Sequence, residues 1–145
     1  AILSYIDEAF DGPSLLPQWG ATAHARGEQW ISLINCHAYD AMVRRYILQY
    51  VFPKGEDGQP DRKVIDAALP EITTQLDALE QAYGERDYLV GSTVSMADLF
   101  LAPILAYLGM FPEGAALLET HPNVRRGHAV MRERPSFTAT QPQLG

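Results

Sequence analysis

Cys36 stands directly before His37, a thiol beside an imidazole, and the pair invites the reading of a nucleophile with its base. Within a helix, neighbouring residues diverge by roughly 100° and cannot face each other. The pair therefore makes no dyad, and Cys36 is expected to be a buried small residue. The four histidines are scattered without zinc-ligand spacing, so no metal site is expected. Glycine-rich phosphate loops are absent. Arg44 and Arg45 could hold an anion at a subunit interface, but a solvated or ion-paired surface role is expected of them. What remains is a stripe: Ser32, Cys36, Tyr39, Val43, Tyr46 and Tyr50 recur at steps of four and three. It sets hydroxyls and a thiol among apolar bodies, as the wall of a small-molecule cleft requires. A plain packing seam has the same spacing, so both readings stand. Tyr39 and Val43 are favoured for the cleft, with Cys36 beside them, and Tyr107, Met110 and Phe111 form a second set of candidates.

Such a stripe needs a long helix to carry it. Residues 21 to 51 contain no proline and only one glycine, Gly27, which predicts one helix over the whole stretch. From Trp30 onward its apolar side chains point in nearly every direction, so it should be covered on several sides, by its own domain and by a second subunit. The turn-rich FPKGEDGQPD ends it, and Asp61 is placed to cap the next helix. There Val64, Ile65, Ala68, Leu69, Ile72, Leu76 and Leu79 follow helical spacing, with Pro70 expected to kink or split the run.

The most strongly marked helix start lies in VGSTVSMADLFLAPILAYL. Ser95 occupies the N-cap position and Asp98 the third helical position, the arrangement of a reciprocal capping box. Val94 and Leu99 stand where a hydrophobic staple would close, and Pro103 should bend the helix. A short helix over Ala115 to Glu119 and a last one from Pro122 complete the chain. No internal repeat, low-complexity segment or strand pattern interrupts them, and the fold class is all-α.

With 145 residues the chain suits one domain with a real core. Its 18 acids against 11 bases give a net charge of −7, which disfavours nucleic acid and anionic membrane as partners. No apolar stretch approaches the ~20 residues that span a bilayer. The single cysteine can form no disulfide within the chain, which suits a reducing cytoplasm. AILSYIDEAF begins inside an amphipathic helical pattern without a preceding cap, as a fragment would.

In the order of these features the sequence resembles the C-terminal domain of cytosolic glutathione transferases, of a phi-like or related bacterial class. AILSYIDE is similar to the last helix of that family's thioredoxin-like N-terminal domain, and SLLP to its interdomain linker. Gly91, Ser95, Ala97 and Asp98 fill the family's capped-helix pattern, and HPNVRRGHAVMRERPSF is similar to its final helix. One departure is Gly127, where the family often has Trp; a glycine there should cost the helix ~1 kcal/mol against alanine and remove a large packing group.

The resemblance implies residues 1–12 as the end of the N-terminal domain, 13–20 as linker and 21–145 as the helical domain. It also implies a homodimeric cytoplasmic detoxification enzyme, without a metal, that joins glutathione to a small apolar electrophile. Ser95 and Asp98 would then be structural, and no catalytic residue would lie in this chain, because the family's thiolate-stabilising Tyr, Ser or Cys precedes Ala1. Two rivals stay open: a non-catalytic relative that uses the domain for protein contacts, and an unrelated helical interaction module.

Overall fold

A computed structural model of the chain describes residues 2–15 and 20–142. Among them all regular structure is helical. Helix α1 (Ile2–Ala9) buries none of its residues; Ile2, Tyr5 and Ile6 are exposed, as is Phe10 just after it. Leu16, Pro17 and Trp19 of the expected linker lie outside the described residues. Leu15 is half-buried, and ties α1 to the body: its N–H donates to Asp7 Oδ1 at 2.6 Å, and its carbonyl accepts from Met96 N–H at 3.1 Å.

The long helix forms as expected, with one difference in its winding. It opens as α2 (Ala21–Leu33), widens to π-helical turns over Ile34–Ile47, and closes as α3 (Leu48–Val51). The bond from Leu48 N–H to Val43 O shows the i→i+5 pattern. Helix α4 (Arg62–Tyr83) packs along it, and Asp61 caps α4 as its sequence position suggests, accepting from Lys63 N–H at 3.0 Å. Pro70 does not split α4, which runs unbroken past it with the proline ring exposed. The core gathers between these two helices and α5 (Met96–Leu108), around Ile34, Met42, Ile72, Leu76, Leu101 and Leu105. Helices α6 (Pro112–Glu119), α7 (Pro122–Arg132) and α8 (Pro135–Ala139) close the remaining side.

The start of α5 is more elaborate than a capping box. Ser95 and Asp98 close the box, and Asp98 Oδ2 accepts from the Ser95 N–H at 2.9 Å and hydroxyl at 2.7 Å. Its other oxygen accepts from Leu89 N–H at 2.8 Å, so the same carboxylate holds the buried approach segment against the helix. Gly91, between them, has φ 80°, a turn conformation that favours glycine.

Gly127 corrects the expectation of a missing packing group. It is buried, and a Cβ built there would lie 2.4 Å from Tyr83 Cε1. The buried Tyr83 ring, at the end of α4, occupies the space a larger residue would need.

Candidate functional site

Three of the residues picked out in the sequence come together. Tyr39 and Val43 on the π-wound segment face Tyr107 on α5 across an open groove of about 540 Å³. Ile47, Phe100 and Pro103 complete much of its wall. Its volume lies within the range of small-molecule sites, and its lining is apolar apart from Tyr39, Tyr107 and Asn35. Tyr39 is 42% exposed, and the Arg44 guanidinium lies over its ring, 5.8 Å from the centroid. Arg45, on the same turn, pairs with Asp40 at 3.0 Å and with Glu71, so both arginines have the surface roles expected of them.

The rest of the stripe diverges. Tyr46 and Tyr50 turn to a polar knot at the start of α6. Tyr46 Oη accepts from Gly114 N–H at 2.8 Å and donates to Glu113 Oε2 at 3.0 Å, while Tyr50 Oη donates to the same oxygen at 2.6 Å. Arg62 closes the knot on Glu113 Oε1 at 2.6 Å. Phe111 stacks on Tyr50, centroids 4.4 Å apart, and so lies in this knot and outside the groove. The stripe exists only at 3.6 residues per turn, and the wider i→i+5 turns rotate Tyr46 and Tyr50 away from Tyr39 and Val43.

Burial alone would raise the Glu113 carboxyl. The bonds from Tyr50, Arg62, its own backbone and Tyr46 outweigh it and hold the carboxyl down at about 2. Burial raises Tyr46 well above the usual phenol range, the Gly114 N–H opposing and Glu113 adding to it. This knot fixes α6 on the long helix; its tyrosines are spent as acceptors and donors within the fold.

Cys36 is exposed, against the expectation of burial, and lines neither the groove nor the knot. Met110, 58% exposed, lines a separate cavity of about 320 Å³ on α5 and the chain's last turns, which shares Pro103 and Tyr107 with the first groove. Phe100, Pro103 and Ile104, unselected in the sequence, carried a usable signal: with Tyr107 they recur at helical spacing on one face of α5. Among the described residues no three His, Cys, Asp or Glu side chains gather as metal ligands.

The groove can therefore bind and orient an apolar molecule, and offers it hydroxyls rather than an acid, base or nucleophile. A family model, glutathione S-transferase C-terminal domain, matches residues 39–135, more than half of the chain, including Tyr39, Val43 and Tyr107 of the groove. The chain belongs to this family. Among its relatives, glutathione S-transferase F10 of Arabidopsis thaliana is 34% identical over 112 residues, covering 74% of this chain and 50% of the relative. A probable elongation factor 1-gamma of Caenorhabditis elegans is 28% identical over 105 residues, 67% of this chain and 25% of that one. The crystal structure of glutathione transferase F7 from Populus trichocarpa superposes with a TM-score of 0.82 at 25% identity, over 94% of this chain and 64% of the other. The chain thus spans about half the length of curated family members such as the Arabidopsis protein.

Proposed function

We propose that this chain is the electrophile-binding part of a glutathione transferase. Residues 1–12 end a thioredoxin-like domain, 13–20 join it to the helices, and 21–145 form the helical domain. The observation that carries this reading is the apolar groove between Tyr39, Val43 and Tyr107, in a chain of the transferase family. Glutathione, the co-substrate, would be held mainly by the N-terminal part, where a Tyr, Ser or Cys favours its thiolate. The sulfur then bonds to the electrophilic carbon, and the electron pair of the bond broken there leaves with the departing group. This chain's contribution is to place that carbon, which is worth rate through proximity alone. The exposed Ile2, Tyr5 and Ile6 of α1, with Phe10 just beyond it, support a further domain over that helix, and the exposed Phe52, at the end of the long helix and outside the groove lining, supports a homodimer along it. Detoxification in the cytoplasm is the corresponding cellular role.

The test is Val43→Phe in the full-length parent protein, with specificity constants for several apolar electrophiles. A pocket contact of one methylene discriminates by ~1–3 kcal/mol, so ratios between electrophiles should shift roughly tenfold while the KM for glutathione holds. Unchanged ratios in a folded protein would move the cleft elsewhere. The similarity to an elongation factor 1-gamma favours a second reading, a transferase-like domain used for protein contacts. In that case the parent protein conjugates no electrophile at all.

A further inference from the structure

The stretch YDAMVRR sets an aromatic and an acid, Tyr39 and Asp40, ahead of two guanidinium groups, Arg44 and Arg45. On an α-helix Asp40 and Arg44 would form the ordinary i,i+4 ion pair. Tyr39 and Arg44, five apart, would stand roughly 140° from each other around the axis. The π-helical winding of Ile34–Ile47 changes both partners. Asp40 pairs instead with Arg45 Nε at 3.0 Å, and the Arg44 guanidinium lies over the Tyr39 ring, 5.8 Å from its centroid. These are two parallel i,i+5 pairs, the spacing that i→i+5 turns bring onto one face. With Asp40 engaged by Arg45, the exposed Arg44 has no hydrogen bond or ion pair among the described residues, and its charge faces the ring. Tyr39 is 42% exposed, and its hydroxyl has no hydrogen bond among the described residues. The guanidinium is the polar contact that restrains the ring.

We propose that Arg44 is a positioning residue for the electrophile: it holds the Tyr39 ring as a fixed wall of the groove, and the π-helical winding delivers it there. The inference rests on the reading of this groove as the electrophile site. Tyr39 lines the groove and Arg44 does not, so the guanidinium backs the ring from outside. A ring held in this way offers the groove a flat apolar face. The class of electrophile it favours is a planar aryl one, which stacks on that face, over an alkyl one, which does not. An exposed cation–π contact biases one ring position over another by roughly two- to fivefold. Arg44 therefore tunes the preference among electrophiles and leaves the reaction itself in place.

The experiment measures kcat and KM of the full-length parent protein for 1-chloro-2,4-dinitrobenzene, a planar aryl electrophile, and for oct-2-enal, an alkyl one. Arg44→Met keeps the length of the side chain and removes its charge. It should lower kcat/KM for the aryl electrophile relative to the alkenal by roughly two- to fivefold, through the KM for the electrophile, with the KM for glutathione unchanged. Arg44→Lys retains a cation and should keep most of the wild-type ratio. In a Tyr39→Leu background, Arg44→Met should change the ratio no further, because the ring through which it acts is gone. A thermal melt of each variant checks that the fold is kept. Val43→Phe, measured beside them, separates two failures. A ratio that moves with Val43→Phe and holds in Arg44→Met overturns the clamp and leaves the groove as the electrophile site. Ratios unmoved by either variant, or a parent that conjugates neither compound, overturn both. An Arg44→Met effect that persists without the Tyr39 ring, or that Arg44→Lys shares in full, also overturns the proposal.

Discussion

Asp98 and Glu113 both sit in the first turn of a helix, yet their surroundings move their acidities in opposite directions. Burial raises Asp98 above its ordinary 3.8, against the bonds from Leu89 and Ser95 that favour the charged form. Glu113 is also raised by burial, but its four hydrogen-bonding groups prevail and bring it from 4.5 to about 2. The signs follow from linkage. A depressed carboxyl contributes stability that is complete above its unfolded value and is lost as pH falls from 4.5 towards about 2. A raised one does the reverse, so Asp98 contributes less as pH rises from 3.8 through its folded value. Chemical denaturation at a series of pH values should show Glu113→Gln losing less stability than wild type between pH 5 and 2.5. Equal losses would mean that the knot is not held by the charged carboxylate. Asp98→Ala leaves the Leu89 and Ser95 N–H groups without their acceptor, and should cost about 2 kcal/mol or more at neutral pH. Turnover of the correctly folded parent protein should be unaffected, since Asp98 is buried and does not line the groove.

At the scale of elements, the contact of α7 with α4 decides what Gly127 is for. Helix propensity taken alone predicts that Gly127→Ala gains ~1 kcal/mol. The Tyr83 ring, 2.4 Å from the Cβ position, reverses that expectation, because overpacking a filled core costs typically ~1–3 kcal/mol. The variant should therefore be less stable than wild type by about 1 kcal/mol, read from its denaturation midpoint. Tyr83→Leu, which shortens the obstructing ring, should remove the penalty in the double variant. An alanine variant more stable than wild type would show that the ring gives way freely. The same lesson applies to Pro70: an exposed proline whose helix is packed on its opposite side is tolerated where local preference alone argues for a break.

For the molecule as a whole, the groove offers an apolar surface on which the proposed electrophile would rest, and its lining holds no group that ionises a thiol. Tyr39 and Tyr107 are its hydroxyls, and neither is joined there by an acid or base. The purified 145-residue chain should accordingly conjugate glutathione to an electrophile no faster than buffer does. Conjugation above that background would place the thiolate-stabilising group within this chain. It would also remove the need for the N-terminal domain in the chemistry.

Local signals are enough for most helices and their caps, but α6 begins at Pro112 rather than Ala115, and the stretch expected as one last helix from Pro122 is two, α7 and α8. The long helix is legible because a run of thirty or so residues without proline has few alternatives, and the Ser95–Asp98 and Asp61 caps because their partners lie within three residues. Tyr39 and Val43 are legible as a pair, one turn apart. What the sequence leaves open depends on partners far along the chain. Glu113 meets Tyr46 and Tyr50 across 67 and 63 residues, and no periodicity announces that meeting. The π-helical winding of Ile34–Ile47 is likewise invisible in a pattern read at 3.6 residues per turn, yet it separates one stripe into a groove wall and a structural knot. Cys36 has the size of a core residue, and only its place on the outer side of that wound segment exposes it. Gly127 reads as a defect until Tyr83 is seen to fill its space. Capping and amphipathic spacing are set within one or two turns, and a sequence states them directly. Which side chains share a cavity is set by how helices rotate and pack, and tertiary structure alone decides it.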